Sequence, residues 1–329
     1  MSVRALRPMT VGDILDQSFS IYRRNFITLV GIVAVVHVPL LVLQIAGGLL
    51  FGAQLTNRTG ASAFNQTQSI ATLAGIVIFG LSVLVAGIAS IFESSALSVV
   101  VSERLLGNSV NLRQAYGRAL RHWRALLVMI FIVGGAVIFL MLVIFIPMAV
   151  LLVVAGALFG ATGSGSYAGA LIPALVTCMI CVALPIVFIG SYGVSVRLLF
   201  APQAIVLENM GGIDGLRRSW RLVRGSFWRV LGITLVISVL VAIIGQGPAY
   251  VIAIAASLLP SPVLGLVVNA TAQSLVNVVV LPLQFAAFTL LYYDLRIRKE
   301  GFDLQLMAQQ LVPSLNGLAT DGAREITPA

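Results

Sequence analysis

Residues 125–161 contain no charged side chain, and several other stretches are nearly as apolar. About 20 predominantly apolar residues suffice for a helix to cross a bilayer. Composition agrees: 59% of the residues are apolar, 9% are charged, and mean hydropathy is +1.06. A soluble domain carries roughly a quarter charged residues, so this surface is not built for water. The expectation is an all-α, polytopic membrane protein.

Apolar runs near 27–51, 70–101, 125–160, 168–200, 230–258 and 263–293 are the predicted spans. The third is long enough to hide two short ones, and arginine decides between the counts. With six spans, all of the 20 basic residues except Arg58 share one side. Cytoplasmic loops are enriched in Lys and Arg, so six spans with both termini cytoplasmic is the expected topology. The third span then tilts, or bends at Pro147. The chain's first apolar run is too long for a typical signal-peptide core, so no cleavable signal peptide is expected. Asn57 and Asn65 head chance glycosylation patterns. Cys178 and Cys181 lie in the fourth run without ligand-type neighbours, and packing is the expected role.

One pattern recurs. Sliding residues 16–32 by 201 positions brings Ser18, Arg23, Phe26, Gly31 and Ile32 onto Ser219, Arg224, Phe227, Gly232 and Ile233. A weaker middle copy spans 111–127. Large apolar residues keep one spacing: Leu15, Phe19, Tyr22, Phe26; Tyr116, Leu120, Trp123, Leu127; Leu216, Trp220, Val223, Phe227. That spacing draws a stripe on an α-helix. The arginines beside it are Arg23 and Arg24; Arg113, Arg118, Arg121 and Arg124; Arg217, Arg218, Arg221 and Arg224. A basic amphipathic helix with boundary aromatics lies in the membrane interface. Thr10 with Asp13, and Asn111 with Gln114, are capping signals; Asp214 sits in the first turn of the third copy. The predicted organisation is one membrane domain over 1–329. It holds three parallel repeats, 9–109, 110–210 and 211–300, each an interfacial helix plus a transmembrane hairpin, then a tail over 301–329. Together these make a six-transmembrane-helix bundle.

The stretches "LRPMTVGDILDQSFSIYRRNF" (6–26), "AIVLENMGGIDGLRRSWRLVRGSFWRVLGI" (204–233) and "LLYYDLRIRKEGFDLQLMAQQL" (290–311) carry a resemblance. They are similar to bacterial proteins classed with the membrane domain of glycerophosphoryl diester phosphodiesterase. The resemblance implies a six-helix membrane protein, common in actinobacteria, without the separate catalytic barrel of the hydrolytic members. Lys299 is the single lysine among the basic residues, a bias that points to a GC-rich bacterial genome.

Few residues can carry chemistry. Glu93 is the one acid deep in a predicted span, and such groups either mark proton and ion paths or bond a neighbouring helix. His37 precedes Pro39, whose missing N–H frees a backbone carbonyl; the two side chains can meet across the first hairpin. Asn269, Gln273 and Asn277, with Gln284 further on, form a polar face on the sixth span, and Pro282 is expected to break that helix. Such a face either glues helices together or lines a path for a polar substrate. Asp294 and Arg298 read as an ordinary helix-end ion pair. Arg23, Arg24, Arg118, Arg121, Arg217, Arg218, Arg221 and Arg224 are candidates for contact with anionic headgroups.

No catalytic set, metal site, cofactor site or nucleic-acid reader is expected. The leading functional reading is a non-enzymatic scaffold or assembly subunit in the bacterial cytoplasmic membrane, with a membrane-protein partner or a homo-oligomer. The alternative is a transporter or flippase of an amphipathic molecule that uses the sixth span.

Overall fold

The computed structural model describes residues 8–57, 66–108, 110–162, 188–301 and positions 177, 178, 181 and 185. The tail after Gly301, Arg4, Arg7, Arg58, Asn65 and the start of the fourth predicted span lie outside the described residues. What is described is helical: α1 (Val11–Arg24), α2 (Phe26–Asn57), α3 (Gln66–Leu105), α4 (Leu112–Arg121), α5 (Trp123–Thr162), α6 (Ala201–Leu207), α7 (Gly212–Val223), α8 (Phe227–Val241), α9 (Gly247–Ser257) and α10 (Pro262–Glu300). Helix residues 188–198 precede α6, and a π turn, Ala242–Gln246, joins α8 to α9. Six helical segments are long and apolar enough to cross a membrane: Phe26–Leu49, Val77–Leu105, Trp123–Val143, Phe188–Leu207, Phe227–Ser257 and Val263–Glu300. In lipid every backbone polar group must be satisfied within the chain, which is why such apolar runs become helices.

The chain divides into two compact units. One comprises Met1–Arg121, Val206–Glu208 and Gly232–Ala329; the other comprises His122–Ile205 and Asn209–Leu231. In the first, α2 and α3 form an antiparallel hairpin whose close approach rests on small residues. A Cβ on Gly47 would lie 3.2 Å from Ile78, and one on Gly48 2.9 Å from Leu266 of α10. Leu29, Ile32 and Val33 of α2, Ala96, Leu97 and Val100 of α3, and Ala115 and Ala119 of α4 make its core, with Ala286 of α10. In the second unit, α7 docks on α5 and α6 through glycine. A Cβ on Gly212 would clash with the Ala125 carbonyl, and one on Gly215 with Ile205.

The three short helices bury corresponding positions: Ile14 and Ser18, Ala115 and Ala119, Gly215 and Ser219. Phe19, Leu120 and Trp220, one residue further on, are each exposed. The large apolar stripe therefore includes an outward edge, and the docking face is the small-residue row beside it. Ser18 Oγ donates to Ile14 O at 2.5 Å, and Ser219 Oγ donates to Arg197 O at 2.7 Å while accepting from Phe200 N at 3.2 Å. Each hydroxyl is satisfied, so burial costs little.

The caps form where the sequence places them. Thr10 and Asp13 make a complete capping box, while Asn111 N–H donates to Gln114 Oε1 at 3.2 Å. Gly225, at φ +82°, supplies the left-handed residue between α7 and α8.

Three expectations are corrected. Pro282 does not break its helix: α10 runs unbroken from Pro262 to Glu300. The Tyr22 hydroxyl donates to Val279 O at 2.9 Å, the carbonyl next to that of Val278, from which Pro282 withholds an N–H. Burial raises the Tyr22 phenol above its ordinary range, so the hydroxyl keeps the proton it donates. Asp294 is no ordinary helix-end pair. It is fully buried, accepts from Met9 N at 2.7 Å and from Arg298 Nε at 2.9 Å, and Arg298 donates to Met9 O at 2.8 Å. Cys178 and Cys181 are exposed free thiols rather than packed ones.

Candidate functional site

The first unit brings Glu93 and His37 together. Glu93, on α3, is 1% exposed, and its Oε2 lies 3.6 Å from His37 Nδ1. That distance is an electrostatic contact, too long for a hydrogen bond. His37 spends Nδ1 elsewhere, at 3.2 Å from Val33 O one turn back, and not on the carbonyl that Pro39 frees. With Nδ1 as the donor, Nε2 is left as an acceptor. Neither oxygen of Glu93 has a hydrogen-bond partner among the described residues. Tyr116 of α4 lies close by, and its hydroxyl donates to Ile32 O at 2.7 Å. Burial raises the Tyr116 phenol above its usual range.

Each group reaches this place for a local reason. The residues around Glu93 on α3, Ser94, Ser95, Ala96 and Ser98, are small and buried; Ala96 belongs to the core shared with α2, and Ser98 Oγ lies 3.2 Å from the Thr289 hydroxyl of α10. Ser94 and Ser98 return their hydroxyls to their own helix, at Ile91 O and Ser94 O. Glu93 sits in that row without such an option. A buried polar group left unsatisfied costs about 1–3 kcal/mol, so its retention is the feature that needs a reason.

The polar face of the sixth span is a second cluster, and the structure reads it differently along its length. Gln273 donates to Asn277 Oδ1 and to Gln246 Oε1, both at 3.4 Å. Gln246 closes the π turn of the fifth span, a feature that recurs at functional positions. Asn269 is exposed and Gln284 is half-buried. The stripe thus ties α10 to the fifth span at its middle. Sequence reasoning missed Gln246, although Gly245, Gly247 and Pro248 around it mark an irregular helix.

The candidate arginines separate. Arg118 pairs with Glu103, which also accepts from Asn108 at 2.8 Å. Arg23, Arg24, Arg121, Arg217, Arg221 and Arg224 are exposed, and Arg218 is half-buried. Arg197, which the sequence did not single out, lies with its guanidinium 4.5 Å from the Trp220 ring centre and 5.1 Å from that of Phe227. Among the described residues, no group of three or more His, Cys, Asp and Glu is placed to hold a metal ion. At the end of α10, Tyr292 and Glu208 share a hydrogen bond, Arg296 Nε lies 3.6 Å from the same carboxylate, and Ser102 and Tyr293 share a bond of 2.5 Å.

Six apolar helical spans, amphipathic helices and intramembrane polar groups define an α-helical, multi-pass integral membrane protein. The family model described as a domain of unknown function (DUF7847) matches residues 9–295, and the chain belongs to that family. No curated protein and no solved structure matches it. The family match makes no link to the membrane domain of glycerophosphoryl diester phosphodiesterase, so that kinship rests on the sequence motifs alone.

Proposed function

We propose that the chain is a non-enzymatic protein of the bacterial cytoplasmic membrane, with both termini cytoplasmic, that acts as a scaffold or assembly subunit of a cell-envelope complex. The observation that carries this reading is how the polar side chains are spent. Gln273 is engaged by Asn277 and Gln246. Acids outside the spans and at their ends serve caps and clamps: Asp13 at Thr10, Glu103 at Arg118, Glu208 at Tyr292, and Asp294 at Met9 and Arg298. A chain that turns its polar groups inward as joints and its apolar side chains outward offers surface for lipid and for other membrane helices. The expected partners are anionic-headgroup lipids and a membrane protein or a second copy; the three-repeat organisation belongs to the same proposal.

The test is purification in a mild detergent from the native host, with mass spectrometry of what stays bound. A stoichiometric membrane-protein partner, retained by a Gln273→Leu/Asn277→Leu variant, is the expected result. A chain that comes out alone sinks the scaffold reading.

Glu93 favours a second reading, a transporter or flippase of an amphipathic molecule. A buried carboxyl without a hydrogen-bond partner, 3.6 Å from an imidazole, is the arrangement proton-coupled carriers need. Transport by the reconstituted protein that ceases on Glu93→Gln would carry it; uptake unaffected by that change would end it.

A further inference from the structure

We propose that the second unit carries a discrete site for the headgroup phosphate of one anionic membrane phospholipid, built on α7. The site is an open concavity of about 590 Å³ lined by Leu198, Asp214, Leu216, Arg217, Trp220 and Arg221. Arg217 and Arg221 stand one turn apart on α7 with Trp220 between them, and both are exposed. Among the described residues neither is held by a carboxylate. Arg197 covers the face of Trp220 at 4.5 Å, which fixes the indole and adds a third positive charge beside it. The one acid, Asp214, belongs to the first turn of α7. Its Oδ2 would lie 3.4 Å from a Cβ on Gly211, so it turns back toward the helix start, where a negative charge is favoured.

The shape and the place identify the ligand. Guanidinium forks match the oxygens of a phosphate. The floor beside them is apolar, Leu198 and Leu216, which suits the glycerol and first methylenes of a lipid rather than a hydrated free anion. Leu198 is the last residue of the helical stretch 188–198, within the span Phe188–Leu207, and α7 lies just before the span Phe227–Ser257 begins, a position that suits a headgroup. Trp220 is 41% exposed, as expected of a side chain at the headgroup boundary. α7 is rigidly seated, because Gly212, Gly215 and Ser219 are buried against α5, α6 and the residues before α6. The backbone positions from which Arg217 and Arg221 reach out are therefore fixed, and Arg197 is stacked on Trp220, which a diffuse basic surface lacks.

The experiment titrates delipidated full-length protein, in a non-ionic detergent, with dioctanoyl phosphatidylglycerol, dioctanoyl phosphatidylcholine and inorganic phosphate in parallel, and counts bound lipid by native mass spectrometry. One phosphatidylglycerol per chain is expected, with weaker phosphatidylcholine binding and no competition from millimolar phosphate. Each arginine near a headgroup contributes about fivefold in affinity, so Arg217→Gln/Arg221→Gln weakens binding roughly 25-fold, and Arg113→Gln, at an exposed arginine of α4 in the other unit, leaves it unchanged. Asp214→Asn, which removes the opposing charge, tightens binding, and this variant keeps the question decidable if the arginine pair does not fold. A loss of about fivefold from Arg113→Gln would mean a diffuse basic surface and overturn the site. Inorganic phosphate that competes fully would overturn the lipid assignment. No tightening by Asp214→Asn would overturn the placement.

Discussion

Glu93→Leu separates a structural from a functional carboxyl by the sign of its effect. Neither Glu93 oxygen has a hydrogen-bond partner among the described residues, and the group is 1% exposed. A buried carboxyl left unsatisfied costs about 1–3 kcal/mol even in its uncharged form, a cost that leucine of similar size removes. His37 is not orphaned by the change, since its Nδ1 rests on Val33 O at 3.2 Å. The expected outcome is a stabilisation of about 1–3 kcal/mol. Were Glu93 and His37 instead a buried ion pair, deleting one member would strand the other charge and cost about 3–5 kcal/mol. The two cases differ by several kcal/mol and in direction, well outside the error of a reversible denaturation. The assay is unfolding in mixed micelles of increasing SDS fraction, followed by tryptophan fluorescence, with Glu93→Gln as a shape-conserving control. Destabilisation by leucine with glutamine neutral would refute the reasoning, because it would mean Glu93 is a structural hydrogen-bonding group.

Other outcomes follow from the same geometry. Asp294→Ala removes the acceptor of Met9 N–H and the partner of Arg298; because Arg298 is 38% exposed, the cost should be about 2–3 kcal/mol rather than the full buried-pair value. Amide exchange near Met9 should accelerate in that variant and nowhere else to the same degree. Gly215→Val places a branched side chain against Ile205, where even a Cβ clashes; overpacking of about 1–3 kcal/mol or more should undock α7, seen as red-shifted emission from Trp220 in a chain whose other tryptophans are replaced. Tyr22→Phe leaves Val279 O without its hydroxyl donor and should cost about 1 kcal/mol in the same SDS titration. Thr10→Ala removes one half of the α1 capping box and should cost about 1 kcal/mol, read as faster exchange of the first-turn amides of α1.

Local and periodic features were legible in the residues themselves. An uncharged apolar run long enough to span lipid has one economical conformation, so six spans and the helices before α2, α5 and α8 could be read from spacing and charge. Thr10 with Asp13 needs neighbours only three residues away, and its capping box could be read as well. That Glu93 and His37 can meet was readable as well, because consecutive spans pair as a hairpin.

Tertiary packing decided which groups meet. The large apolar stripe suggested one face for the short helices. The structure docks the neighbouring row, Ser18, Ala119 and Ser219, buries Val223 of the stripe and leaves its members Phe19, Leu120 and Trp220 outside, because close helix approach in a membrane selects small residues over large ones. Pro282 reads as a break in one dimension, yet α10 continues with Tyr22 supplying a hydroxyl beside it, 257 residues away in sequence. Asp294 and Arg298 look like a surface pair until Met9 folds across them. The residues alone determined a helical membrane protein with basic, amphipathic helices. Only the fold assigned Asp294 to a clamp, Gln273 to a joint and Glu93 to a buried site, because burial and hydrogen-bond satisfaction depend on partners that no local pattern specifies.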